Sequence, residues 1–207
     1  MTDVTRLSKK EMNYTETQAI LGKVDIYLID QILKNRYATD DSILDAGCGE
    51  GRNLRWFYAN NYKIYGIDTD IERLENAKLM YPKSANNFQV GNLDALPYGE
   101  NEFNHVICSA VLHFAQSEKH FYTMLSELVR VLKPQGTLLI RMGSDIGLDG
   151  NIPYLKESQT NRAGTFYLNR QHIEMISRDY NIEFIEPIKT TNVEDKRAMT
   201  TLVIQKL

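Results

Sequence analysis

The sequence predicts an α/β fold in which a doubly wound, largely parallel sheet carries helices on both faces. Three observations predict it. Short apolar runs that end at an acid recur, as Ser42-Ile43-Leu44-Asp45 and as Ile64-Tyr65-Gly66-Ile67-Asp68. Stretches with helical spacing of apolar residues alternate with these runs. A glycine-rich turn with Gly47, Gly49 and Gly51 joins the first run to the next helix. Such alternation is the signature of a parallel sheet whose crossovers are helices.

At 207 residues the chain suits one domain with a substantial core. Residues 1–38 form a helical cover, because Ile20, Leu21, Val24, Tyr27, Leu28, Ile32 and Leu33 recur at helical spacing, with a hinge near Gly22. Residues 39–142 form the core, with strands near 42–46, 64–68, 87–91, 104–109 and 136–142. Its helices fall near 52–59, 70–81 and 117–132, the first opening at Asn53. Asp70 suits the N-cap of the second, since its side chain can accept from the free N–H groups of the first turn, and Pro82 ends that helix. Between Asp94 and Phe103 there is no room for a full helix. Residues 143–168 are too long and too weakly periodic for an ordinary strand-to-helix loop, and suit a lid or substrate wall. Residues 169–207 predict a helix over 169–180 and strands over 182–188 and 199–205, joined by the polar hairpin segment 189–197.

The glycine turn carries the functional signal. Glycines at every second position admit positive φ and let a ligand approach the main chain, in the crevice outside the strand's carboxyl end. Asp68 lies 17 residues beyond Gly51, where an acid can accept from a ribose diol. A dinucleotide fingerprint needs a third glycine where this chain has Arg52, and Gly51 falls one residue early. Asp45 beside the turn repels a pyrophosphate and attracts a cationic amine.

The pattern D-x-G-x-G-x-G over Asp45–Gly51, followed by a second strand ending in Asp68, resembles the first two motifs of class I S-adenosyl-L-methionine (SAM) dependent methyltransferases. Leu96-Pro97-Tyr98, Phe103-Asn104-His105-Val106, Val111-Leu112-His113-Phe114 and Arg130–Leu138 are similar to the branch related to ubiquinone and menaquinone biosynthesis methyltransferases, the type 11 branch. The match is strong over 41–140 and extends to the C-terminal third only in layout. Gln135 departs from it, standing where the family more often has Gly.

The resemblance implies a Rossmann-like seven-stranded sheet of order 3-2-1-4-5-7-6 with the last strand antiparallel. It implies SAM as cofactor, S-adenosyl-L-homocysteine as product, and in-line methyl transfer. It places Asp45, Gly47, Cys48, Gly49 and Arg52 at the methionine side, Asp68 and Thr69 at the ribose, Asn92, Leu93 and Asp94 at the adenine, and Cys108 and Ser109 on the floor. His113, just past strand four, is the candidate base, with a structural role as its rival; His105 is the more peripheral histidine. Candidate acceptor contacts are Tyr14, His113, Tyr154, Arg162 and His172, with Asp145, Phe166 and Tyr167 also in or near the lid.

Bulk properties narrow the rest. A net charge of −3 gives no broad basic footprint for nucleic acid, and the Asn/Asp-Pro-Pro-Tyr element of base-methylating enzymes does not occur. The acceptor is therefore expected to be a small molecule. Cys48 and Cys108 form no C-x-x-C, His residues do not cluster, and no metal site is expected. Asp145-x-x-x-Asp149-Gly150 fails as a calcium loop, since the twelfth position is Lys156. No apolar run reaches the roughly 20 residues of a membrane span. A cytoplasmic monomer or homodimer is the expectation. An NAD(P)-linked oxidoreductase, or a methyltransferase fold kept as a binding module without turnover, are the rival readings.

Overall fold

β1 (Ser42–Ala46) is an inner strand of the sheet, with all five residues buried, as expected of a strand covered on both faces. It pairs in parallel with β2 (Lys63–Asp68) on one side and β4 (Phe103–Ser109) on the other. β3 (Phe88–Val90) extends the sheet beyond β2, and β5 (Leu132–Ser144) beyond β4. β8 (Arg197–Lys206) then runs antiparallel to β5. β6 (Ile182–Phe184) and β7 (Lys189–Val193) both pair with the far side of β8. The order is β3-β2-β1-β4-β5-β8-β6, with β7 beside β6 on the same edge. This is the predicted 3-2-1-4-5-7-6 arrangement with one added edge strand. The computed structural model describes residues 14–148 and 166–207.

α2 (Ile26–Leu33), α3 (Arg55–Ala59) and α4 (Ile71–Met80) cover one face, packing Leu28, Phe57, Leu74 and Ala77 against Ile43, Ile64 and Ile107. α5 (Glu118–Val131) and α6 (Arg170–Asp179) cover the other with Phe121, Leu125, Leu128 and Ile176. α1 (Tyr14–Leu21) lies over α3, where Arg55 Nε donates to the Ala19 carbonyl at 2.6 Å. Gly22, at φ +59°, separates α1 from α2 where the hinge was expected. Asp70 caps α4 by accepting the Arg73 N–H at 3.1 Å.

Four expectations change in detail. α3 begins at Arg55, not Asn53, because residues 51–54 turn tightly, with Leu54 N–H bonded to the Gly51 carbonyl at 2.9 Å. β5 begins at Leu132, directly after α5, and Gln135 takes φ +64° within it. Glycine alone enters that region at no steric cost. The expected strand 182–188 stops at Phe184, and the polar segment 189–197 contains β7. Pro187 lacks the N–H that a continuous ladder needs, while Thr190, Thr191 and Val193 carry β-propensity. β7 and β8 meet at Glu194 and Asp195, both at φ +53°, with Asn192 Oδ1 accepting the Asp195 N–H at 2.8 Å. The segment 143–168 is held in the sheet at both ends, since Ser144 closes β5 and Leu168 bridges to it.

Candidate active site

Gly47 and Gly49 show why the turn after β1 is glycine-rich. Gly47 takes φ +79°, and a Cβ on it would overlap Val111 Cγ2. A Cβ on Gly49 would overlap the Arg73 guanidinium. The turn is pinned to β2 through Gly47 and Cys48, whose N–H groups donate to the Ile67 carbonyl at 2.8 and 3.0 Å. Asp68 Oδ2 accepts the Gly49 N–H at 2.7 Å, and its Oδ1 accepts the Asp70 N–H at 3.0 Å. The acid at the end of β2 is thus fixed by two backbone donors.

Beside this turn lies a cleft of about 400 Å³. The β2 end supplies Asp68 and Thr69, and the turn after β3 supplies Asn92, Leu93 and Asp94. Gly47 and the residues after β4, Ala110, Val111 and Phe114, close the base. Ala110 holds φ +63°, with its N–H bonded to the Arg141 carbonyl at 2.7 Å, a strained backbone at the floor. Asp70 and Arg73 from α4 and His120 and Met124 from α5 complete the wall. None of these last four, nor Val111 or Phe114, was expected from sequence to line the site. Arg73 and His120 lie on the first turns of their helices, which face the strands' carboxyl ends; that position was the available signal.

Asp45 lies beneath the turn, 1% exposed. Burial pushes its carboxyl up to about 7, against the pull of Arg52 and an Asn53 hydrogen bond, with Asp68 adding to the rise. Its Oδ2 is buried without a hydrogen-bond partner. A buried acceptor left unpaired is costly, and a ligand donor is one way to satisfy it. Cys48 and Cys108 are both buried, and burial raises both thiols well above the ordinary range. They are neutral packing groups.

A second polar group collects where α2 begins. Asp25 caps α2 by accepting the Tyr27 N–H at 3.0 Å, and its own N–H donates to Asn53 Oδ1 at 3.2 Å. Ser109 Oγ donates to Asp25 Oδ2 at 3.0 Å. Arg141 Nη1 and Arg52 Nη2 approach the same oxygen at 3.4 and 4.0 Å. Arg52 and Ser109 therefore belong to this group rather than to the wall of the cleft.

The histidines separate by environment. His113 packs its ring at 4.4 Å from that of Phe114, with Nδ1 buried and unpartnered, and burial lowers its pKa, so the ring is neutral at pH 7. It lies beside the cleft, where Phe166 N–H donates to its carbonyl at 2.8 Å. His172 sits in a helix cap: Asn169 Oδ1 accepts the His172 N–H at 2.8 Å, and His172 Nδ1 accepts the Asn169 N–H at 3.2 Å. Its ring packs, tilted or edge-on, among Phe166, Phe121 and Tyr122. His105 lies at the opposite end of β4, between Asp41 and Thr137 at 2.9 and 2.7 Å. Tyr14 is exposed at the start of α1. Tyr154 and Arg162 lie outside the described residues. Among the described residues no group of acids, cysteines and histidines could hold a metal ion, and no helix is long and apolar enough to cross a membrane.

The core of the chain is similar to known methyltransferases. Residues 44–140 match the family described as a methyltransferase domain. That match takes in just under half of the chain, including the glycine turn, Asp68, Asp94 and His113. An uncharacterized methyltransferase of Bacillus subtilis is 30% identical over 58% of this chain and 49% of its own length. A probable methyltransferase of Aspergillus luteorubrus is 36% identical over 49% of this chain and 39% of its own. The chain thus spans about half or less of the length of these curated relatives. A crystal structure of a SAM-dependent methyltransferase from Methanosarcina mazei shares the fold, with TM-score 0.68 and 21% identity over 85% of this chain and 97% of that one.

The cofactor of the methyltransferase domain is SAM. The residues present fit it. The cleft offers the carboxylates of Asp68, Asp70 and Asp94, which suit a ligand carrying a diol and amines, and the unpaired Asp45 oxygen lies beneath the glycine turn. A pyrophosphate would meet acids on both sides, which disfavours the oxidoreductase reading.

Proposed function

We propose that this protein transfers the methyl group of SAM to a small-molecule acceptor. The observation that carries the reading is the pair of acids around one glycine turn, Asp68 fixed by the Gly49 and Asp70 N–H groups and Asp45 buried with one oxygen unpaired. In this reading Asp68 accepts from the ribose diol, and Leu93 and Asp94 border the adenine. Asp45 balances the cofactor's amine from beneath Gly47. When bound, SAM supplies a methyl group on a sulfonium, already activated toward a nucleophile. The chain has to align the acceptor with that methyl and exclude water.

A base is needed only if the acceptor must first lose a proton. His113, neutral and past the end of β4, has the protonation state for that role. His113→Gln tests that role: a base role lowers kcat and flattens its pH profile, whereas a packing role lowers stability alone. The small-molecule acceptor is supported by the net charge of −3 and the absence of an amino-methylating motif.

Calorimetric titration with S-adenosylhomocysteine beside NADH tests the reading. Saturable binding of the first alone supports it, and binding of NADH alone overturns it. Formation of S-adenosylhomocysteine from SAM across an acceptor panel then separates turnover from mere binding.

A further inference from the structure

Away from the cleft, the α2 start gathers two guanidinium groups around one carboxylate. Asp25 is 3% exposed in its side chain, whereas Arg141 is 21% and Arg52 41% exposed. Neither arginine makes the forked, two-bond contact that planar guanidinium favours with a carboxylate. Arg141 reaches Asp25 through one long contact of 3.4 Å, and Arg52 stands at 4.0 Å. Arg52 Nη1 donates to the Lys23 carbonyl at 3.0 Å, and Nη2 to Ser109 Oγ at 3.3 Å. Arg141 Nε is buried with no acceptor, an arrangement that costs stability unless something else satisfies it. The guanidinium also lies 5.3 Å from the centre of the Tyr27 ring, which holds it in place.

We infer that Arg141 and Arg52 form a carboxylate-binding site for the methyl acceptor, with the Asp25 carboxylate occupying it as an internal stand-in. Asp45, the other nearby acid, lies beneath the glycine turn and is assigned to the cofactor's amine, which leaves two cations to one anion here. The inference rests on the methyltransferase reading. Position supports the acceptor over the cofactor. Arg141 is on β5, paired with Ser109 of β4 and Thr201 of β8. The cleft runs from the ends of β2 and β3 to Ala110, Val111 and Phe114 after β4, and neither arginine lines it. The β7–β8 hairpin approaches the Arg141 side, where Tyr27 hydroxyl and Thr191 Oγ1 are hydrogen-bonded. It also touches the start of the 143–168 segment, through Asn192 Nδ2 and the Gly147 carbonyl at 2.8 Å.

The test uses the full chain saturated with S-adenosylhomocysteine and titrated with acetate, butyrate, succinate and benzoate, each beside its amide. The expected result is that at least one carboxylate binds and its amide binds at least tenfold more weakly. Arg141→Met should abolish that preference and leave the affinity for S-adenosylhomocysteine within twofold. Asp25→Asn keeps a capping side chain on α2 and removes the competing charge, so it should bind the same carboxylate several-fold more tightly. This second variant keeps the inference testable if Arg141→Met fails to fold. Equal binding of acids and amides, or of none, overturns the inference. So does an Arg141→Met chain that loses affinity for S-adenosylhomocysteine but keeps it for methylthioadenosine, because the arginines would then hold the cofactor's own carboxylate. Failure of the wild-type chain to bind S-adenosylhomocysteine is a separate outcome, which overturns the proposed function as well.

Discussion

Asp68 accepts the backbone N–H of Gly49 at 2.7 Å, so the acid that ends β2 and the glycine turn that follows β1 are locked into one unit. Asp68→Ala removes both the lock and the proposed ribose acceptor. It should weaken S-adenosylhomocysteine by about 1–3 kcal/mol, or roughly five- to 150-fold in Kd. Asp68→Asn keeps an oxygen for Gly49 and should lose less. Calorimetry reads both, and unchanged affinity in Asp68→Ala would reject the pose.

Asp45 links ligand binding to pH. Its carboxyl is raised from 3.8 to about 7 by burial, so between those values the folded chain holds a proton that the unfolded chain has lost. The stabilisation is complete below about pH 4 and is lost as pH rises through about 7. The wild-type Tm should therefore fall more steeply than that of Asp45→Asn between about pH 4 and 7. A cationic ligand amine favours the ionised carboxylate. Binding of S-adenosylhomocysteine near pH 6 should then release a proton, detectable by calorimetry in buffers of different ionisation enthalpy, and Asp45→Asn should abolish the release.

Gln135 occupies a left-handed backbone position at φ +64° in the stretch between α5 and the body of β5. Gln135→Gly removes a steric penalty of about 1 kcal/mol, so Tm should rise by roughly 2–4 °C for a chain of this size. The affinity for S-adenosylhomocysteine should not change, since the position is remote from the cleft. A fall in Tm would show that the side chain contributes more than the backbone strain removes.

His172 was a candidate acceptor contact from sequence, and the structure gives it a place in the α6 capping box. Asn169→Ala should destabilise the chain by about 0.5–2 kcal/mol. His172→Ala should lower Tm in the same sense and leave kcat/KM for any acceptor unchanged. A drop in kcat/KM at constant stability would return His172 to the acceptor site.

By itself the sequence determined the layout, because its signals are local. Ser42–Ala46 and Ile64–Asp68 are apolar runs ending at acids, Asp70 and Pro82 bracket a helix, and three alternate glycines fix a turn; each depends on neighbours in the chain. The core strands followed from these, and the sheet order from the resemblance that they carry. Tertiary structure alone decided which side chains meet. Arg73 and His120 reach the cleft because the first turns of α4 and α5 rise at the strands' carboxyl ends. Asp25 reaches Ser109, 84 residues away, and Arg141, 116 away, because α2 folds back over β4 and β5. The split of 189–197 into β7 and a turn likewise depended on β8 offering a ladder. Spacing along a chain reports backbone periodicity, whereas contacts across layers depend on how helices settle on the sheet, which no local pattern encodes.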